Sequence, residues 1–141
     1  MDLDLIRAKE ELAAGGYTCV ICRGSATYHT AERGIRPLLR WLEDGTDLSG
    51  GCAADKVVGK AAAMLYCLLQ VKAVHAGVLS QPAKEVFERC GVAVSCEMLV
   101  DAIENRTKTG LCPMEQATAP LTDPADAPAA IRKKLAELSQ T

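Results

Sequence analysis

The segment Asn105-Arg106-Thr107-Lys108-Thr109-Gly110-Leu111-Cys112-Pro113-Met114-Glu115-Gln116 gathers an amide, a guanidinium, hydroxyls, a thiol and a carboxylate between glycine and proline punctuation. Loops of this chemistry usually bind something. Arg106 offers a planar donor fork suited to phosphate or carboxylate, and Asn105, Thr107 and Thr109 add further polar groups. Gly110 lets a ligand approach the backbone closely. The same groups would also serve to satisfy the carbonyls of an irregular loop. Cys112-Pro113-Met114-Glu115 reads as a helix start, with Cys112 at the cap, Pro113 first in the helix and Glu115 reaching back to its own cap N–H. Alternatively, Cys112 is a nucleophile whose thiolate is favoured by the helix end and by Arg106 or Lys108. No histidine stands near it in sequence to act as its base.

A second polar group is Asp55-Lys56-Val57-Val58-Gly59-Lys60. Apolar residues at Val57, Val58, Ala61, Ala62, Leu65, Leu68 and Leu69 predict one long helix from Ala53 or Asp55 to Leu69, packed against a sheet. Its free N–H groups and positive dipole end would attract an anion, reinforced by Lys56 and Lys60 on a shared face. The bland alternative is that both lysines are solvated. Asp55 is expected to cap this helix. Gly59-Lys60-Ala61 lacks the Ser or Thr and the glycine spacing of a phosphate-binding P-loop.

Around these groups the chain predicts a helix over Leu3 to Ala14 stopped by Gly15-Gly16, and a hairpin of Tyr17 to Cys22 with Ala26 to Thr30. A helix follows over Ile35 to Glu43. Beyond the long helix come a strand from Val71 to Leu79, a helix from Pro82 to Cys90 and a strand from Val92 to Cys96, a βαβ unit with parallel strands. Glu97 to Glu104 reads as a short helix, Ala119 to Pro124 as a turn and Asp126 to Leu138 as the last helix.

The 141 residues suit one domain, 1–141, and 49% hydrophobic against 4% aromatic content calls for an aliphatic core. A net charge of -2 gives no global attraction to nucleic acid. The acidic start Met1-Asp2-Leu3-Asp4 carries no long apolar run, so neither signal peptide nor membrane span is expected, and the expected location is cytoplasmic. Seven scattered cysteines fit free thiols in a reducing compartment. Cys19 and Cys22 form a C-x-x-C in a β-type run, where they point to opposite faces and read as buried strand thiols. His29 and His75 read as ordinary sheet residues.

Three motifs, Glu32-Arg33-Gly34-Ile35, Ala54 to Ala62 and Asn105 to Gln116, resemble those of a small family of bacterial proteins of unknown function with a cytidine-deaminase-like fold. The resemblance implies a three-layer α/β/α sandwich whose mixed sheet holds the hairpin and the βαβ unit. Zinc deaminases place a His or Cys followed by Ala-Glu at the start of the long helix and P-C-x-x-C after the next strand. Here Gly51-Cys52-Ala53-Ala54 falls in the first slot, with Ala54 where the proton-shuttling Glu belongs; Asp55 is one position, about 100° of helix, away. Gln81-Pro82-Ala83-Lys84-Glu85 falls in the second, with no cysteine. Hydrolytic deamination by that mechanism is disfavoured and no metal or other cofactor is expected, any zinc having only Cys52, Cys112 and Glu115 to turn to.

The expected role is binding of a small anionic or nucleotide-like ligand by Asp55, Lys56, Lys60, Asn105, Arg106, Thr107, Thr109, Gly110 and Glu115. The alternatives are a metal-independent transferase or thiol-dependent enzyme using Cys112, or a non-enzymatic structural or interaction protein. A homo-oligomer is expected, with no nucleic acid or membrane partner.

Overall fold

The computed structural model describes residues 2–105 and 107–139. In chain order it contains α1 (Leu3–Ala14), β1 (Cys19–Arg23), β2 (Ala26–Thr30), α2 (Arg36–Glu43), β3 (Cys52–Val58), α3 (Lys60–Leu69), β4 (Ala73–Ser80), α4 (Gln81–Cys90), β5 (Ala93–Val100), α5 (Pro113–Thr118), a 3-10 turn at Pro124–Asp126 and α6 (Ala127–Ser139). The five strands form one mixed sheet in the order β2-β1-β3-β4-β5. β1 runs antiparallel to both β2 and β3, while β3, β4 and β5 are mutually parallel. Helices cover both faces, which makes a three-layer α/β/α sandwich.

Two segments depart from the sequence expectation. Residues 52 to 58, expected to open the long helix, form the central strand instead. Their alternation of small residues suits a strand buried on both faces: Ala54 meets Ala8, Val20 and Cys22 under α1, and Ala53 joins the larger core on the other side. Pairing with β1 on one side and β4 on the other outweighs the alanines' helix preference. Helix α3 begins only after Gly59, so Asp55 and Lys56 are strand residues and Asp55 is no helix cap; the cap residue is Gly59. Glu97 to Glu104 is likewise no helix. Met98, Leu99 and Val100 pair in register with Val78, Leu79 and Ser80, extending β5 to the end of β4.

The larger core lies under α2 to α6 and is organised by α3, in which every residue from Ala61 to Tyr66 is buried. Alanines at 61, 62 and 63 let this helix approach the sheet closely, and Tyr66, Phe87, Met64 and Leu65 are fully enclosed. Each such large side chain contributes about 1.5–3 kcal/mol of burial free energy. Cys19 faces this core and Cys22 the smaller one, as strand alternation requires. His29 stacks on Tyr17 with centroids 4.1 Å apart, and His75 Nδ1 lies 2.8 Å from Ser95 Oγ. Among the described residues no helix is long and apolar enough to cross a membrane.

Candidate functional site

A pocket of about 510 Å³ opens beside the end of β3 and the start of α3. The sheet changes there from antiparallel (β1) to parallel (β4) neighbours, and chain reversals at such points leave crevices in α/β proteins. Its lining includes Glu32 to Ile35, then Asp55 to Val57 with Gly59, Ala61 and Ala62, and Ile103 to Asn105 with Cys112 to Glu115, joined by Thr18 and Cys19 at the start of β1, Thr30 at the end of β2, and Pro37 and Leu38 of α2. Each of the three sequence motifs contributes residues to this lining. Gly34, at φ 84°, makes the left-handed turn between β2 and α2 that sets Glu32 and Arg33 at the rim.

At the pocket wall Asp55 is partly enclosed. Its Oδ2 accepts a 2.7 Å bond from the Tyr66 hydroxyl and its Oδ1 a 3.3 Å bond from the Val57 N–H. The Cys19 thiol lies 3.1 Å from the Tyr66 oxygen, and because the tyrosine proton is given to Asp55, the thiol is left as donor. Burial pushes the Asp55 carboxyl up to about 6, against the opposing pull of the Tyr66 and Val57 bonds. Tyr66 is held protonated by burial and by the neighbouring Asp55 charge, and burial followed by that same charge raises Cys19. The result is a Cys19–Tyr66–Asp55 chain whose outer member faces the pocket and titrates near neutrality. It is suited to accept hydrogen bonds from a ligand or to exchange a proton.

Glu115 does something different from the expected capping box. It is 8% exposed, and its Oε1 and Oε2 accept bonds from the N–H groups of Lys60 (2.8 Å) and Ala61 (3.1 Å). It therefore caps α3 from a distance in sequence, and its own cap residue, Cys112, has no side-chain capping bond. Gly59 is what permits this, since a β-carbon there would stand 2.4 Å from Glu115 Oε1. The N–H groups expected to attract a ligand anion are thus occupied by the protein's own carboxylate.

The other sequence candidates divide. Asp55, Lys56, Asn105, Cys112 and Glu115 line the pocket. Lys60 does not: its ammonium donates a 3.0 Å bond to the Ala119 carbonyl, and with Lys56 on a strand the two lysines share no helical face. Thr107 and Thr109 turn inward on their own loop, a hairpin closed by the Glu104–Leu111 bridge. Asn105 Oδ1 accepts from the Thr109 N–H (3.0 Å) and the Thr107 hydroxyl (3.2 Å), the hydroxyls of Thr107 and Thr109 lie 2.9 Å apart, and the Gly110 carbonyl takes the Asn105 N–H at 2.8 Å. The local alternative for these side chains is the one realised. Arg106 lies outside the described residues. Cys112 is half-buried at the lining, which holds no histidine among the described residues.

Cys52 occupies the opposite end of β3, paired with Cys22 and Ala73, where burial pushes its thiol up to about 11. At about 3.3 Å per residue, the six steps to Val58 put it roughly 20 Å from the pocket end of the strand. Because α3 begins at Lys60 and not at residue 53, Cys52 does not stand at a helix start, and it cannot join Cys112 and Glu115. Among the described residues no three His, Cys, Asp or Glu side chains converge to hold a metal ion. The true starts of α3 and α4 carry Gly59-Lys60-Ala61 and Ser80-Gln81-Pro82. Sequence reasoning missed Tyr66, Cys19 and Arg33. A phenol inside the apolar run Lys60 to Leu69 was the available signal, since a buried tyrosine hydroxyl needs a polar partner.

The fold and pocket define a mixed α/β/α sandwich with a crevice that Asp55 and Glu115 flank and to which all three sequence motifs contribute. Residues 7–135 match the family model described as a domain of unknown function, DUF1893, and the chain belongs to that family. Among solved structures, the DUF1893 family protein TM1506 of Thermotoga maritima is similar in fold, with a TM-score of 0.85 at 21% identity over 95% of this chain and 92% of that one. No curated protein matches the sequence.

Proposed function

We propose that the pocket binds a small nucleotide-like metabolite, with a nitrogenous hydrogen-bonding head against Asp55 and an anionic group at the rim. The observation that carries this reading is the Asp55 carboxylate, facing the pocket and fixed from behind by Tyr66 and Cys19. A fixed acceptor of this kind selects N–H donors. The volume falls in the usual range for small-molecule sites, about 300–1,000 Å³. At the rim Arg33 and Lys56 are exposed and have no ion pair among the described residues, whereas Glu32 is neutralised by Arg40 at 3.0 and 3.3 Å. The anion site of this reading has therefore moved from the helix end, which Glu115 fills, to these two cations. The three-motif pocket at the start of α3 also agrees with a cytidine-deaminase-like ancestry, in which the crevice would keep base recognition without the zinc set.

A thermal-shift screen with nucleosides, nucleoside monophosphates and sugar phosphates tests the proposal. A nucleotide should stabilise the native chain, Asp55→Asn should remove the effect of nucleoside and nucleotide alike, and Arg33→Ala with Lys56→Ala should weaken only the nucleotide. Stabilisation by sugar phosphates as strong as by nucleotides, and indifferent to Asp55→Asn, would overturn it.

A further inference from the structure

Strand β5 ends the sheet with an open edge of eight residues, Ala93 to Val100, against five at the opposite edge, β2. Natural edge strands are protected by shortness, lysine, proline or a covering element. This one contains no lysine, arginine or proline, and Glu97 is its single charge. Met98 and Leu99, successive residues that point to opposite faces, are 58% and 47% exposed, so neither helix layer covers this end of the strand.

We propose that a second copy of this chain pairs with β5, antiparallel, about a two-fold axis perpendicular to the sheet. In such a pair one residue must stand opposite itself, because neighbouring pairs alternate in hydrogen-bonding type and cannot be exchanged by symmetry. Three residues near the middle of the strand qualify. Centring on Glu97 sets two carboxylates face to face, which is repulsive. Centring on Met98 places Glu97 against Leu99 of the second copy. Centring on Cys96 places Glu97 against Ser95, Met98 against Val94, Leu99 against Ala93 and Val100 against Val92, all compatible pairs. The same register brings the exposed Asp101 of each copy beside Gly91 of the other, close in sequence to the exposed Arg89 in the last turn of α4. The acidic end of each strand thus meets the basic end of its mate, a complementarity that a parallel arrangement lacks.

Sedimentation or light scattering of the full chain at tens of micromolar should give twice the 15.0 kDa chain mass. Met98→Lys and Leu99→Lys, each placing its ammonium in solvent on the isolated chain, should return the mass to that of one chain with an unchanged circular dichroism melt. Because Cys96 faces itself, mild copper-catalysed oxidation should give a cross-linked dimer that persists in Cys90→Ser and disappears in Cys96→Ser. A monomer at these concentrations, or a dimer untouched by both lysines, overturns the interface. A dimer dissolved by lysine yet not cross-linked through Cys96 overturns the register, and β5 would then be open to other extended segments.

Discussion

Glu115→Ala should lower stability far more than an ordinary helix-cap substitution, because the side chain holds the amino end of a buried helix 55 residues away in sequence. Two backbone N–H groups, at 2.8 and 3.1 Å, lose their acceptor inside the protein. Hydrogen bonds to a charged group contribute about 1.5–3 kcal/mol each. The two share one carboxylate, and water can enter the space left by the side chain, so the expected loss is about 3 kcal/mol. Unfolding entropy near 2.1 cal/mol/K per residue makes 1 kcal/mol worth roughly 3 °C for a chain of this size, so Tm should fall by about 10 °C. Glu115→Gln keeps one oxygen acceptor and turns an amide donor toward the other N–H, and should fall between. Scanning calorimetry on the three proteins measures this. If Glu115 served only its own helix start, the loss would be about 1 kcal/mol. A fall of Tm under 3 °C therefore refutes the long-range cap. Gly59→Ala supplies a cross-check, since its β-carbon displaces the same carboxylate; in the double variant the two losses should be strongly less than additive.

Three further outcomes are expected. The Asp55 carboxyl, raised from 3.8 to about 6, binds its proton more tightly folded than unfolded, so its contribution is fully present below 3.8, declines as pH rises through that interval and is gone above 6. Urea titrations should show Asp55→Asn flattening this dependence and standing no less stable than the native chain at pH 7; a large destabilisation there contradicts the burial argument. Native-state alkylation followed by mass spectrometry should modify the exposed Cys90 first and spare Cys19, Cys22 and Cys52, which are buried and whose thiols burial holds protonated; early labelling of Cys19 would contradict the packing. Lys56→Ala should weaken nucleotide binding and Lys60→Ala should not, because Lys60 already bonds the Ala119 carbonyl; the reverse order would restore the helix-end anion site.

Much of the fold was legible because its signals are local. The periodicity and glycine stop of α1, the turn between β1 and β2, and Pro82 with Gly91 bounding α4 each decide their own element. β3 was hidden for the opposite reason. Ala53-Ala54-Asp55-Lys56 favours a helix by composition, and only pairing with β1 on one side and β4 on the other makes it a strand. That error carried into the site, placing Cys52 in the pocket and Lys56 beside Lys60. The three motifs that carry the family resemblance do contribute to one crevice, although residue types by themselves singled out only the second and third of them. The partners were not legible: Glu115 with Lys60 and Ala61, and Asp55 with Tyr66 and Cys19, are contacts between distant segments that no spacing rule reveals.

The central claim is that Asp55 reads the nitrogenous head of a bound ligand. Isothermal titration of the native chain and of Asp55→Asn with the common nucleoside monophosphates, and with inorganic phosphate alone, tests it most directly. The account predicts saturable binding of at least one nucleotide to the native chain, a loss of at least about tenfold in Asp55→Asn as one charged hydrogen bond is removed, and no comparable binding of phosphate. Equal affinity in the two proteins, or phosphate binding as tight as the nucleotide's, would contradict it.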